Sequence, residues 1–220
     1  MQSSTEEDYL KAIYKLNVVD DAASTNSIAK VLDTKASSVS DMIKKLSEKK
    51  LVNYVKYKGV SLSTTGERIA LMVIRKHRLW ESFLVDKLNF KWDEIHEIAE
   101  QLEHIDSPEL VDKLDEHLGF PSHDPHGDPI PNKNGEFSQN NHIILSEVKT
   151  GETATIKGVL EHSSEFLQYL ESIPLLIGSS VKIIESYTFD SSLKIEIDGQ
   201  RELMISNAVA NNLNASLTKT

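Results

Sequence analysis

The chain has 220 residues, 39% hydrophobic and 26% charged, which suits one large or two to three small folded domains and excludes wholesale disorder. No window approaches the roughly 18 uninterrupted apolar residues of a spanning helix, and the absence of cysteine excludes disulfides, zinc ribbons, iron–sulfur clusters and thiol catalysis. The net charge of −10 is split: residues 1–76 carry 13 Lys/Arg against 9 Asp/Glu, whereas residues 77–220 carry 11 against 25. A basic front end points to a polyanion partner, because phosphates draw Lys and Arg through counterion release. All eight histidines fall between His77 and His162, in the acidic part. The acidic start MQSSTEEDYL is unlike an export signal, so a cytoplasmic location without membrane association is expected.

In chain order, Thr5-Glu6-Glu7-Asp8 followed by Tyr9, Leu10, Ile13, Tyr14 and Leu16 predicts a capped amphipathic helix. Ser24-Thr25-Asn26 caps a short helix from Ser27 to Leu32, and a four-residue connector leads to a third helix over about 37–49. Val39, Met42, Ile43 and Leu46 form its inward face. Leu51–Lys56 and Val60–Ser63 alternate as a hairpin about Lys58-Gly59. Helix, short helix, tight turn, polar-faced helix and hairpin together describe a winged helix-turn-helix. Its third helix is the candidate reader of double-stranded DNA. Lys35, Ser37, Ser38, Ser40 and Asp41 lie near its start, within reach of bases or phosphates, while Lys44, Lys45, Lys56 and Lys58 suit phosphates, which position without specifying.

Thr64-Thr65-Gly66-Glu67 starts a long helix carrying His77 and Glu81, and further helices are expected over 92–105 and 108–118. Neither later helix can bury its apolar stripe on a small winged domain, which makes them candidates for dimer packing. Four of the six prolines fall within Pro121–Pro131, so residues 121–141 read as an irregular linker. Beyond Ile143 the pattern is one of short strands, at 153–160, 180–187, 193–197 and 202–205. A helical insert at 164–173 interrupts them and a closing helix follows Asn207. This describes a small SH3-like β-barrel, and the expected class is α+β, mainly α.

His96, Glu100, Glu103 and His104 are spaced i, i+4, i+7 and i+8, which places two imidazoles and two carboxylates on one helical face; His77 and Glu81 add an i, i+4 pair. Oxygen and nitrogen donors without thiolate favour Mn²⁺ or Fe²⁺, with Zn²⁺, Co²⁺ and Ni²⁺ able to use the same groups. The run His96-Glu97-Ile98-Ala99-Glu100 lacks the second histidine of a zincin protease.

The stretches Glu7-Asp8-Tyr9-Leu10-Lys11-Ala12-Ile13-Tyr14, Arg75-Lys76-His77-Arg78-Leu79-Trp80-Glu81, Glu100-Gln101-Leu102-Glu103-His104 and His126-Gly127-Asp128-Pro129-Ile130-Pro131 resemble the diphtheria toxin repressor family of metal-dependent transcriptional regulators, and most of all its manganese transport regulators with a C-terminal SH3-like domain. The resemblance implies a winged helix-turn-helix over 1–75, a helical metal-binding and dimerisation domain over 76–120, a Pro-rich linker over 121–142 and an SH3-like domain over 143–220. It implies a first metal site of Asp8, Glu100, Glu103 and His104, with Asp124 and His126 standing where some relatives have a Cys-Pro-His. A second site would comprise His77, Glu81 and His96, completed by Glu165 or, alternatively, His162. Where iron-sensing members have methionine and cysteine this chain has Asp8 and Glu100, which shifts preference toward the harder Mn²⁺.

The chain departs from the family pattern at three places. Lys11 stands where some manganese regulators have a carboxylate, Asp124 replaces cysteine, and His123 could compete with it. His117 and His142 match no ligand position and read as surface residues. The expected function is that of a homodimeric, manganese-dependent repressor of palindromic operators of metal-uptake genes, with no enzymatic activity and no small-molecule substrate. An iron-dependent repressor is the alternative within the family, and a metalloenzyme using the His/Glu cluster is the alternative from another class.

Overall fold

Ser3 starts the first helix, α1 (Ser4–Val19): its hydroxyl accepts from Glu6 N–H while the Glu6 carboxylate accepts from Ser3 N–H. This reciprocal capping box lies earlier than the expected cap at Thr5. The structure is a computed structural model describing residues 2–55, 58–138 and 142–218. Ser24 caps α2 (Thr25–Val31) through Ser27 N–H, and α3 (Ala36–Glu48) follows after a turn in which Asp33 has φ of 45°. The wing is the antiparallel pair β1 (Val52–Val55) and β2 (Gly59–Leu62), in register from Val52↔Leu62 to Val55↔Gly59. Gly59, at φ 108°, has no room for a side chain: a Cβ there would meet Ala23 O at 2.7 Å. Leu10, Ile13, Ile28, Val39, Ile43, Leu46 and Val60 close one apolar core. Each such side chain, once removed from water, contributes about 1.5–3 kcal/mol.

The long helix α4 (Thr64–Leu88) begins directly after the wing, and α5 (His96–Leu102) and α6 (Pro108–His117) follow. α5 is shorter than the helix expected over 92–105. Residues 92–95 form turns, and Glu103 and His104 lie in the turn after Leu102. The Glu103 N–H still bonds Ala99 O at 2.9 Å, so helical pitch carries one step past the helix end. Ser107-Pro108 opens the next helix, and a proline disfavours helical conformation in the residue before it.

The chain divides into two compact units. One holds the chain through Trp80, Ala99–Phe120 and Ile130–Phe137; the other holds Glu81–Ile98, Pro121–Pro129 and the chain from Ser138 onward. In the first, Arg75 ties α4 to α6 and to the Ile130–Phe137 segment, donating to Asp115 Oδ2 at 2.6 Å and Pro131 O at 2.7 Å.

The second unit is built on six strands, β3 (Ile143–Ile144), β4 (Thr153–Val159), β5 (Ser180–Ser186), β6 (Leu193–Ile197), β7 (Arg201–Ile205) and β8 (Leu213–Leu217). They form one antiparallel sheet in the order β3-β8-β4-β5-β6-β7. Register shifts interrupt its ladders at Ile156/Gly158 and Ile183/Glu185, and Leu145, Ile156, Leu167, Leu170, Ile183, Ile195 and Leu213 belong to one buried core. Helices α7 (Ser164–Ser172) and α8 (Asn207–Asn211) complete the unit. β8 lies beyond the closing helix, where the residue pattern predicts no strand, although Leu213 and Ala215 alternate as buried positions with Asn214 and Ser216. Two polar residues in five, directly after a helix, weaken that signal. The proline-rich segment is irregular, yet Pro121–Pro129 is tied to β4: Val159 N–H bonds His126 O at 2.8 Å, and a Cβ on Gly127 would meet Lys157 O at 2.1 Å.

Glu6 holds α1 against α3 through two ion pairs. Glu6 is 1% exposed and accepts from Lys49 Nζ at 2.7 and 2.8 Å, with Lys45 Nζ at 3.0 Å. Burial alone would raise the Glu6 pKa, but the bonds from Lys49 and Lys45 and from Ser3 N–H outweigh it and bring the pKa to about 2. A depressed carboxylate stabilises the fold in full above its ordinary value of 4.5, and the contribution disappears as pH falls through 2. Glu6→Gln should therefore cost about 1–3 kcal/mol of stability at pH 7, since both lysines are partly exposed and screened. Denaturant unfolding of both proteins between pH 7 and 2 should show the difference shrinking toward acid; a difference independent of pH would contradict this account.

Candidate metal centres and nucleic-acid interface

Two clusters of metal-capable donors each lie within a single unit. In the first unit, Asp8, Glu103 and His104 bring donor atoms within 4.8 Å of one another. α1 supplies Asp8, and the turn after α5 supplies the other two. The His104 ring is gripped at both nitrogens: Nδ1 lies 2.8 Å from Glu7 Oε2 and Nε2 lies 3.0 Å from Asp8 Oδ1. With Nδ1–H donating to Glu7, Nε2 would be the atom offered to an ion, beside Asp8 and, at 3.7 Å, Glu103 Oε1. A carboxylate that orients a ligating imidazole in this way is a usual part of a metal site. Glu103 is completely buried, and its other oxygen contacts His77 Nδ1 at 2.6 Å.

Lys11, one turn along α1 from Asp8, reaches the same carboxylates, with Nζ 2.6 Å from Glu103 Oε1 and 2.7 Å from Glu100 Oε1. Burial opposes its charge, but Glu103 and Glu100 hold its pKa above the ordinary lysine value. Burial raises the Asp8 pKa, against the pull of His104 and Lys11. His77 and Glu100 offer donor atoms within 4.8 Å of each other.

In the second unit, Glu81, Asp124 and His126 form another cluster within 4.8 Å, and all three are buried. Asp124 makes an Asx turn, its Oδ1 accepting from His126 N–H at 2.8 Å and Asp128 N–H at 3.0 Å. The His126 Nε2–H donates to Trp92 O at 2.8 Å, which leaves Nδ1 facing Glu81 Oε2 at 3.8 Å. The ring stacks on Trp92, with centroids 6.0 Å apart, and meets the His162 ring at 4.9 Å. Burial opposes the imidazolium, but Glu81, Asp124 and the Trp92 carbonyl outweigh it and push the His126 pKa up to about 9. Burial lowers that of His162.

The resemblance grouped Asp124 and His126 with the first site and Glu81 with the second. The fold instead gathers these three, because β4 holds the Pro121–Pro129 segment and the Asx turn aims both side chains inward. His96, half exposed, reaches Glu81 Oε1 through Nδ1 at 3.4 Å. His162 contacts His126 and bonds Val159 O through Nε2 at 3.3 Å. Glu165 is exposed in the first turn of α7 and belongs to no such cluster among the described residues. His123 lies against His142, ring centroids 5.8 Å apart. Both oxygen–nitrogen donor sets fit a hard or borderline divalent ion.

On the nucleic-acid side, Lys35, Ser37, Ser38, Asp41 and Lys44 are exposed on or at the start of α3, and Lys58 is exposed at the wing turn. Ser40 is exposed and its hydroxyl bonds Ala36 O at 3.0 Å. Lys45 is shared with Glu6, and Lys56 lies outside the described residues. Glu6 and Glu7 have roles that residue spacing does not predict. Their signal is the unbroken run Glu6-Glu7-Asp8: Glu6 turns to Lys45 and Lys49, while Glu7 and Asp8 take the two ring nitrogens of His104.

Comparison with known proteins follows the same division. The family description "Iron dependent repressor, N-terminal DNA binding domain" matches residues 1–60, "Iron dependent repressor, metal binding and dimerisation domain" matches 63–132, and "FeoA domain" matches 143–216. The iron-dependent repressor IdeR of Mycobacterium leprae is 33% identical over 127 residues, 58% of this chain and 55% of that protein. The chain thus spans about half the length of that relative. The HTH-type transcriptional regulator MntR of Oceanobacillus iheyensis is 30% identical over 120 residues, 54% of this chain and 81% of that protein. A solved manganese-dependent transcriptional repressor in complex with manganese superposes with a TM-score of 0.85 at 32% identity, covering 96% of this chain and 99% of that one.

The His126 geometry carries a direct expectation. A raised imidazole pKa stabilises the fold in full below about 6.5, and the contribution is lost as pH rises through 9. In metal-free protein the His126 ring should titrate near pH 9 by NMR, and His126→Gln should narrow its stability deficit between pH 6.5 and 10. A midpoint near 6.5 would contradict the burial beside Glu81.

Proposed function

The chain belongs to the iron-dependent, or diphtheria toxin, repressor family, and from that premise we propose that it is a manganese-dependent transcriptional repressor acting as a homodimer on palindromic operators. The family is one of metal-dependent regulators rather than enzymes. One observation carries the reading: a single turn of α1 points Asp8 at Glu103 and His104, while Glu6 in the same turn is clamped to Lys45 and Lys49 at the end of α3. A cation held by Asp8, Glu103 and His104 would supply the positive charge that relieves repulsion among these acids. The residues of α1 would then carry that constraint to the recognition helix.

The dimer is supported by a partly apolar depression on the first unit. A cavity of about 530 Å³ there has an apolar floor of Ile69, Met72, Ile105 and Val111 and a charged border that includes Arg68 and Asp112. Pairing of two chains through such a surface would present two copies of α3, and fixing α1 would set their separation near one turn of DNA, about 34 Å, or a multiple of it. Lys35, Ser37, Ser38, Ser40, Asp41 and Lys44 of α3 and its start, with Lys58 and Lys56 at the wing, are the proposed DNA contacts. Lys45 serves Glu6 as well as the phosphates. Short serines carry little base discrimination, so part of the specificity would rest on DNA shape.

Manganese is favoured over iron because both clusters are made of carboxylate and imidazole donors and the chain has no cysteine to supply a thiolate. Glu81, Asp124 and His126 are the proposed second centre, with His162 adjacent to complete it, and His77, His96 and Glu100 are further candidate ligands. The iron-dependent reading draws on the similarity to IdeR.

Asp8→Ala should abolish metal stimulation of binding to a palindromic promoter fragment, a loss of tenfold or more in affinity at saturating Mn²⁺, while the folded dimer persists by sedimentation. Gel retention with Mn²⁺, with Fe²⁺ under anaerobic conditions and after chelation separates the readings. Equal binding in all three conditions would refute metal control, and a response to Fe²⁺ alone would favour iron.

A further inference from the structure

The Lys11 ammonium is buried, with the side chain 8% exposed, and it contacts two carboxylates of different burial: Glu103 at 0% and Glu100 at 39%. Its contact on Glu103 is Oε1, the same oxygen that lies 3.7 Å from His104 Nε2. His104 Nε2 is in turn 3.0 Å from Asp8 Oδ1. A divalent ion held by Asp8, Glu103 and His104 therefore needs an oxygen that a permanent cation of the chain already holds. The other Glu103 oxygen is engaged by His77 at 2.6 Å, so each oxygen of this carboxylate already has a partner that an ion must share or displace. Like charges at this range repel in an environment that screens them poorly.

We propose that Lys11 is a built-in competitor of the metal: its ammonium neutralises Glu100 and Glu103 before an ion arrives, weakens ion binding at Asp8, Glu103 and His104, and so raises the metal concentration at which the chain responds. Two opposing effects follow from one side chain. Lys11 keeps the metal-free cluster from repelling itself apart, and it must yield its hold on Glu103 Oε1 when the ion binds. The inference rests on the reading of Asp8, Glu103 and His104 as a metal centre, and the experiment separates the two.

Calorimetric Mn²⁺ titration of the full chain would be made in a Glu81→Ala background, which removes the second cluster. Lys11→Met in that background should bind Mn²⁺ about tenfold or more tightly, and its metal-free form should melt at a lower temperature than the background protein. Lys11→Arg, which keeps the charge, should bind nearly as weakly as the background. An unchanged or weaker affinity in Lys11→Met overturns the competitor role while leaving the metal centre standing. No Mn²⁺ uptake by the background protein, with Asp8→Ala indistinguishable from it, overturns the centre itself. Should Lys11→Met fail to fold without metal, the ¹⁵N signal of the Lys11 ammonium in the unsubstituted chain serves instead. Addition of diamagnetic Cd²⁺ should shift it, and an unmoved signal rules out displacement.

Discussion

Glu103 has no access to water, and a carboxylate in that position must be neutralised or supplied with hydrogen bonds from the protein itself. Stranding such a charge costs several kcal/mol, so the elements around it are organised by the need to compensate it. His77 from α4 takes one oxygen and Lys11 from α1 the other, with His104 beside them. The helix that carries Lys11 is thereby bound to the turn after α5, and the same helix presents Asp8 to His104. What looks like a metal site is, in purely structural terms, a buried negative charge that several elements of the first unit converge to satisfy.

α1 distributes that constraint. Ser3 and Glu6 close its capping box, Glu6 reaches inward to Lys45 and Lys49 of α3, Glu7 and Asp8 hold the two nitrogens of His104, and Lys11 spans Glu100 and Glu103. Successive residues of a helix are separated by about 100°, so Glu6 faces α3 while Glu7 and Asp8 reach the two sides of the His104 ring. Here that geometry turns a short acidic stretch into a connector between α3 and the cluster of donors.

The second unit solves a similar problem differently. Glu81, Asp124 and His126 are all buried, and the charge balance is internal: an imidazole held protonated by two acids and oriented by the Trp92 carbonyl. The Asx turn at Asp124 and the close approach of Gly127 to Lys157 fix the segment that carries two of the three donors.

Residue order alone was enough for the winged helix-turn-helix, the family and the choice of oxygen and nitrogen donors, because apolar periodicity, capping residues and ligand type are local properties of the chain. Tertiary packing decided the rest. It ended α5 at Leu102 ahead of the proline-led helix, placed Leu213–Leu217 between β3 and β4, and drew Asp124 and His126 to Glu81. It also set Lys11 on the carboxylates expected for a metal. Which donors meet depends on how distant segments pack, and spacing along one helix cannot encode a partner more than ninety residues away, as Lys11 and Glu103 show.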